Sequence, residues 1–161
     1  IFVTTHEMYL NMVQFALDEQ LKQLSRSDIA QKALQNSKMI LVHDLEEAIA
    51  FSNLYAPEHL ILQTKNAEEL AEKVVNAGSV FIGPYSTESI GDYASGTNHT
   101  LPTNGFATAY SGVSLDSFVK KVTFQHVSKE GLHQIGNAVE IMAENELLTA
   151  HKNAVSIRLK G

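Results

Sequence analysis

The chain has 161 residues, 44% of them apolar and 19% charged, with a formal net charge of −6 and no cysteine. That length suits one domain with a real core and that composition a soluble globular protein, while the acidic balance excludes the basic footprint of a nucleic-acid binder. The missing thiols rule out disulfides, thiolate zinc ligands and cysteine nucleophiles, and no apolar run approaches the roughly 20 residues that cross a bilayer.

Ile1-Phe2-Val3-Thr4-Thr5 reads as a strand. It has no starting Met, basic region or cleavage site, so it is not a signal peptide, and the abrupt opening suggests a piece of a longer chain. Leu10, Val13, Leu17, Leu21 and Leu24 recur at helical spacing and predict an amphipathic helix over 7–24. Ser27 or Asp28 caps a second helix to about Asn36. Met39-Ile40-Leu41-Val42 is a short apolar run of buried-strand type. Asp44 caps a helix over 45–55, which Pro57 stops. Leu60-Ile61-Leu62 is the next strand. Asn66 caps a helix carrying Ala67, Leu70, Ala71, Val74 and Val75 on one face and ended by Gly78. Ser79-Val80-Phe81-Ile82 is a strand, followed by a long polar loop with a short helix near 87–94.

Alternating short strands and helices predict an α/β fold, a Rossmann-like parallel sheet flanked by helices. The α/β domain is expected over 1–109. Over 110–161 the pattern changes to a small C-terminal segment. Residues 121–127 alternate like a strand or hairpin arm, Ser128 caps a long helix striped by Leu132, Ile135, Val139 and Met142, and a last helix covers about 147–158. This mainly helical tail is small for its own core and is expected to pack on the α/β part or a second subunit.

All three prolines and five of the nine glycines fall between Pro57 and Gly105. Ligands of open α/β sheets bind outside the carboxyl ends of strands, so the loop 91–103 after the strand 79–82 is the first place to look for chemistry. There Asp92 and His99 are sound zinc ligands and equally sound substrate hydrogen-bonders, although their spacing matches no standard metal motif. The plain alternative is an Asx-type cap and a solvated histidine. Ala56-Pro57-Glu58-His59 places a carboxylate beside an imidazole at a strand entrance, a base and a second acid–base group close together; the alternative is an ordinary polar turn. His151 lies on a face with Leu147, Ala154, Val155 and Arg158. It is either a packed or interface histidine or a ligand delivered to a neighbour's site. Glu146 can face the same site only if it lies at or before the helix start; otherwise it is a first-turn carboxylate favoured by the helix dipole. His6, His43, His126 and His133 have no constellation and read as surface or structural. No Gly-x-Gly-x-x-Gly motif or P-loop occurs.

Ala56-Pro57-Glu58-His59-Leu60, Gly83-Pro84-Tyr85-Ser86 and the loop Gly91-Asp92-Tyr93-Ala94-Ser95-Gly96-Thr97-Asn98-His99-Thr100-Leu101-Pro102-Thr103 together resemble histidinol dehydrogenase. So does the ending Glu144-Asn145-Glu146-Leu147 with His151, Ala154, Val155 and Arg158. The similarity runs in order over essentially the whole chain, and it is to the C-terminal part of that family. It implies half of a larger, aldehyde-dehydrogenase-like domain and a cytoplasmic, zinc-dependent, NAD-linked enzyme of histidine biosynthesis. That enzyme oxidises L-histidinol through histidinal to L-histidine, as a homodimer with shared active sites and no nucleic-acid or membrane partner. By position, His59 is implied as general base and Glu58 as the group that activates water. Asp92 and His151 are implied as zinc ligands, and His99 and Glu146, with Asp92 and His151, as substrate contacts. The family's two other zinc ligands, in a Gln-x-x-His segment, and its NAD-binding regions lie upstream and match nothing here. The chain alone is therefore expected to be inactive. The competing readings are a non-catalytic α/β dimerisation module and a zinc hydrolase-like module without NAD.

Overall fold

The computed structural model describes residues 1–160 and divides the chain into two compact units, Ile1–Val119 and a second beginning at Lys120. The first is the α/β unit. Strand β1 (Phe2–Thr4) is followed by helices α1 (Glu7–Leu21) and α2 (Ser27–Leu34), then β2 (Met39–Leu41) and α3 (Leu45–Tyr55). Strand β3 (His59–Leu62), helix α4 (Ala67–Ala71), strand β4 (Ser79–Ile82) and helix α5 (Glu88–Tyr93) complete it.

The strands form two parallel pairs. β1 pairs with β2 in the register Val3 opposite Ile40, and β3 with β4 in the register His59 opposite Ser79 through Leu62 opposite Ile82. Each pair is joined through helix, as parallel strands require. No rung among the described residues links one pair to the other, so the expected single sheet is two short ones.

The core shows why the sequence folds this way. Ile49 of α3, Leu62 of β3 and Ala67 and Leu70 of α4 are buried together, with Leu45, Leu60, Ala71, Val74 and Val80 packed around them. Helix α3 begins where expected: Asp44 Oδ1 accepts from the Glu47 N–H at 2.9 Å, and Glu47 Oε2 reaches back to the His43 N–H at 2.6 Å. That backbone hydrogen bond from Glu47 holds the Asp44 carboxyl below its ordinary range, and the Asp44 side chain raises the His43 imidazole. At the far end Ala56 sits in the left-handed region, φ 51°, turning the chain directly into β3.

Helix α4 is shorter than its apolar face predicts. Asn53 of α3 explains the stop. Its Nδ2 donates to the Lys73 carbonyl at 3.0 Å and its Oδ1 accepts from Val75 and Asn76 N–H at 2.8 and 3.3 Å. Backbone groups that would extend the helix are thus satisfied from outside it.

In the second unit, α6 (Lys129–Asn145) and α7 (Thr149–Lys160) form a helical hairpin. Ser128 Oγ caps α6 through the Gly131 N–H at 3.0 Å. Leu147, φ 60°, turns the chain, and the Leu148 N–H closes on the Ala143 carbonyl at 2.8 Å. A Cβ on Gly136 would stand 2.9 Å from Leu159 Cδ1, so glycine lets the two helices approach. Residues 121–127 do not form the expected strand. A strand needs a ladder partner, and no strand among the described residues pairs with this segment, whose Phe124 is 93% exposed. No helix among the described residues is long and apolar enough to cross a membrane.

Candidate active site

Strand β4 ends at Ile82 and is followed by Gly83, whose φ of 81° only glycine adopts freely, and the chain turns through 84–87 into α5. Thr87 caps that helix, its Oγ1 accepting from the Ile90 N–H at 3.4 Å. One face of α5 then meets β4. A Cβ on Gly91 would lie 2.6 Å from Cε1 of buried Phe81, so the absent side chain is what lets the helix lie against the ring. The Gly91 carbonyl is held in turn by Thr97 Oγ1 at 2.9 Å.

Glu88 and Asp92 are one helical turn apart and therefore share a face of α5. That face meets His59, the first residue of β3. One ring nitrogen of His59 and one carboxylate oxygen each of Glu88 and Asp92 all lie within 4.8 Å of one another. All three residues are half-buried, and among the described residues they are the one group of three such side chains this close together. The His59 ring packs on Phe81 with centroids 5.9 Å apart, and its Nε2 is shut off from solvent without a hydrogen-bond partner. Phe81 thus seats both the helix and the imidazole.

Of the residues singled out from the sequence, the fold brings His59 and Asp92 together. Glu58 precedes His59 and is half-buried, its carbonyl accepting from the Ser79 N–H at 2.9 Å. His99 is exposed on the loop, beside the Asx turn in which Asn98 Oδ1 accepts from the Thr100 N–H at 2.7 Å. Glu146 and His151 belong to the second unit and are both exposed. Glu146 is the C-cap of α6 and lies before α7 begins at Thr149, so it is not a first-turn carboxylate of α7. Glu88 escaped the sequence reading. Its signal was present: a carboxylate one turn before Asp92 in the short helix expected near 87–94. A separate open depression of about 590 Å³ lies between Thr5, Tyr9 and His43, away from this cluster.

The first unit is thus an α/β unit with an imidazole and two carboxylates gathered beside the strand-to-helix turn of its second parallel pair, the kind of site that moves protons or holds a cation. Residues 1–159 match the family model described as histidinol dehydrogenase, and the chain belongs to that family. It is 59% identical over 160 residues to a histidinol dehydrogenase of Bacteroides fragilis (strain YCH46), covering 99% of this chain and 37% of that protein. It is 56% identical over 151 residues to the chloroplastic histidinol dehydrogenase of Arabidopsis thaliana, covering 94% and 32%. The crystal structure of histidinol dehydrogenase from Elizabethkingia anophelis superposes with a TM-score of 0.89 at 58% identity, over 98% of this chain and 36% of that one. The chain therefore spans about a third of the length of these relatives.

Proposed function

We propose that this chain is the C-terminal portion of a zinc-dependent histidinol dehydrogenase, which oxidises L-histidinol through histidinal to L-histidine with two NAD in histidine biosynthesis. The observation that carries this reading is the approach of His59 and Asp92 from different elements, because the reaction needs a base beside a metal ligand. An alcohol gives up hydride only as its hydroxyl proton leaves. His59 is placed to take that proton, and NAD, held by the upstream region, would accept the hydride that leaves with it. Glu58 takes a proton from the water that adds to the aldehyde, while protonated His59 returns its proton to the carbonyl oxygen, so that the hydrate forms and His59 is again a free base. His59 then takes a hydroxyl proton of the hydrate, and a second NAD would accept the hydride as the carboxylic acid forms.

The donor set fits zinc. Asp92 offers oxygen and His151 nitrogen, and the cluster around Asp92 contains only nitrogen and oxygen donors, the types zinc takes where no thiolate exists. Bound zinc would hold the substrate's polar groups and orient its carbinol carbon. In this reading Asp92 and His151 hold the metal, His99 and Glu146 contact the substrate, and the remaining ligands and the NAD site come from an upstream region. The assembly is a cytoplasmic homodimer in which the partner's tail reaches the site. Exposed apolar residues on the strands, Ile61 at 53% and Ile82 at 38%, support a missing covering layer, since parallel sheets are ordinarily covered on both faces.

NADH formation tests the proposal. The chain alone, given zinc, NAD and histidinol, is expected to show no sustained turnover. The enzyme carrying its upstream region is expected to turn over, and His59→Asn to cut kcat about 100-fold or more while histidinol binding changes little. Undiminished kcat in that variant across the pH range removes His59 from the role. Absence of turnover in the complete enzyme would leave the non-catalytic dimerisation module as the better account.

A further inference from the structure

Glu88 has no part in that chemistry, yet its carboxylate, like that of Asp92, lies within 4.8 Å of a His59 ring nitrogen. We propose that Glu88 is a positioning residue: its carboxylate accepts a hydrogen bond from the His59 ring N–H and so decides which nitrogen is left to take the substrate's proton. This rests on the reading of His59 as the base.

A neutral imidazole has one donor nitrogen and one acceptor, and a base is useful only if the acceptor faces the substrate. Something must therefore hold the other nitrogen as N–H. The structure supplies the need: Nε2 of His59 is buried and unpartnered, and a buried polar atom in that state wants an acceptor or donor brought to it. It also supplies the means. Glu88 and Asp92 are the two carboxylates that the fold sets beside the ring. Asp92 is assigned to the metal, and a carboxylate oxygen engaged with a cation is a poorer acceptor. Glu88, with one more methylene, is the acid left to reach the ring.

The support behind Glu88 is rigid enough for the task. Helix α5 is seated by Gly91 on Phe81, capped by Thr87 and tied down by Thr97. Phe81 also packs on the His59 ring, 31° from parallel. One aromatic ring thus locates both the carboxylate's helix and the imidazole. A carboxylate there stabilises the imidazolium that forms as the substrate loses its proton, the role such groups play behind other histidine bases.

The test uses the complete enzyme and two variants, Glu88→Gln and Glu88→Asp. Gln keeps the shape but removes the charge and can donate to the ring, so kcat is expected to fall about 10- to 100-fold with histidinol KM and bound zinc within about threefold of wild type. Asp restores the charge but is shorter by one methylene, so it is expected to recover part of the loss, with a kcat between those of Glu88→Gln and the wild type. A second readout does not depend on turnover. In protein labelled with ¹⁵N-histidine, with His59→Asn used to assign the signals, the wild-type ring is expected to show a single tautomer and Glu88→Gln to change it. Unchanged kcat with an unchanged ring spectrum overturns the proposal, as does loss of zinc in Glu88→Gln, which would make Glu88 a ligand. If the wild type oxidises no histidinol, the functional reading fails, and the ring spectrum still decides whether Glu88 holds His59.

Discussion

Gly91 shows how much of the site depends on one missing side chain. A Cβ there would stand 2.6 Å from Phe81 Cε1 and 3.1 Å from Thr97 Oγ1, and Phe81 is only 7% exposed, so its ring has little room to give way. The helix would have to lift, carrying Glu88 and Asp92 away from His59. Gly91→Ala is therefore expected to destabilise the fold by about 1–3 kcal/mol, the usual cost of overpacking. In the complete enzyme the same variant is expected to lose activity by about tenfold or more, since displacements near 1 Å at reacting groups are that costly. Denaturant unfolding and steady-state kinetics check the two halves. Wild-type values for both would mean that α5 is not seated on Phe81 as described.

At the scale of elements, the apolar spacing of α4 predicts a helix through Val75, and the tertiary structure ends it at Ala71. Asn53, on a neighbouring helix, takes the Lys73 carbonyl and the Val75 and Asn76 N–H groups into a side-chain network. Asn76 returns a bond to the Asn53 carbonyl at 2.9 Å. The turn from α4 into β4 is thus built by α3, and it leads into Gly78 and the register of Ser79 against His59. Asn53→Ala is expected to cost about 1–2 kcal/mol in thermal or denaturant unfolding, because three backbone groups lose their partners while solvent replaces some of them. Faster amide hydrogen exchange confined to residues 73–79 would locate the effect. A variant as stable as wild type would show that the turn holds without the latch.

On the scale of the whole molecule, the second unit is a helical hairpin whose buried residues in α6 are Gly136 and Ala143. Ile135, Met142 and Ile157 are more than half exposed, as is Phe124 before the hairpin. Apolar residues so open argue for a covering surface, and the proposed shared-site homodimer provides one. Complementation tests it. Inactive His151→Ala and inactive Asp92→Ala forms of the complete enzyme are mixed under conditions of subunit exchange. If the partner's His151 completes each site, a heterodimer has one site with both lesions and one with neither, and about a quarter of wild-type activity is expected to return, by random pairing of equal amounts with half of the sites in each heterodimer intact. No recovery despite verified exchange would assign His151 to the site of its own chain.

The sequence by itself was sufficient for most of the elements, because their signals are local. Asp44 caps α3, Ser128 caps α6, and the strands at Met39–Leu41 and Ser79–Ile82 lie in short apolar runs bounded by polar or turn residues. It was sufficient for the family too, since Ala56–Leu60 and Gly91–Thr103 are contiguous motifs. The tertiary structure decided what depends on partners distant along the chain. It shortened α4 through Asn53, left 121–127 outside the ladders of the described residues, and split the expected sheet into two pairs. It also made the cluster itself: Glu88 and Asp92 meet His59 only because β3 and β4 pair in one register and Gly91 lets α5 settle on Phe81. Caps and periodicity act within a few residues and are written in the sequence. Hydrogen-bond partners and ring contacts between elements arise only when the chain has closed on itself.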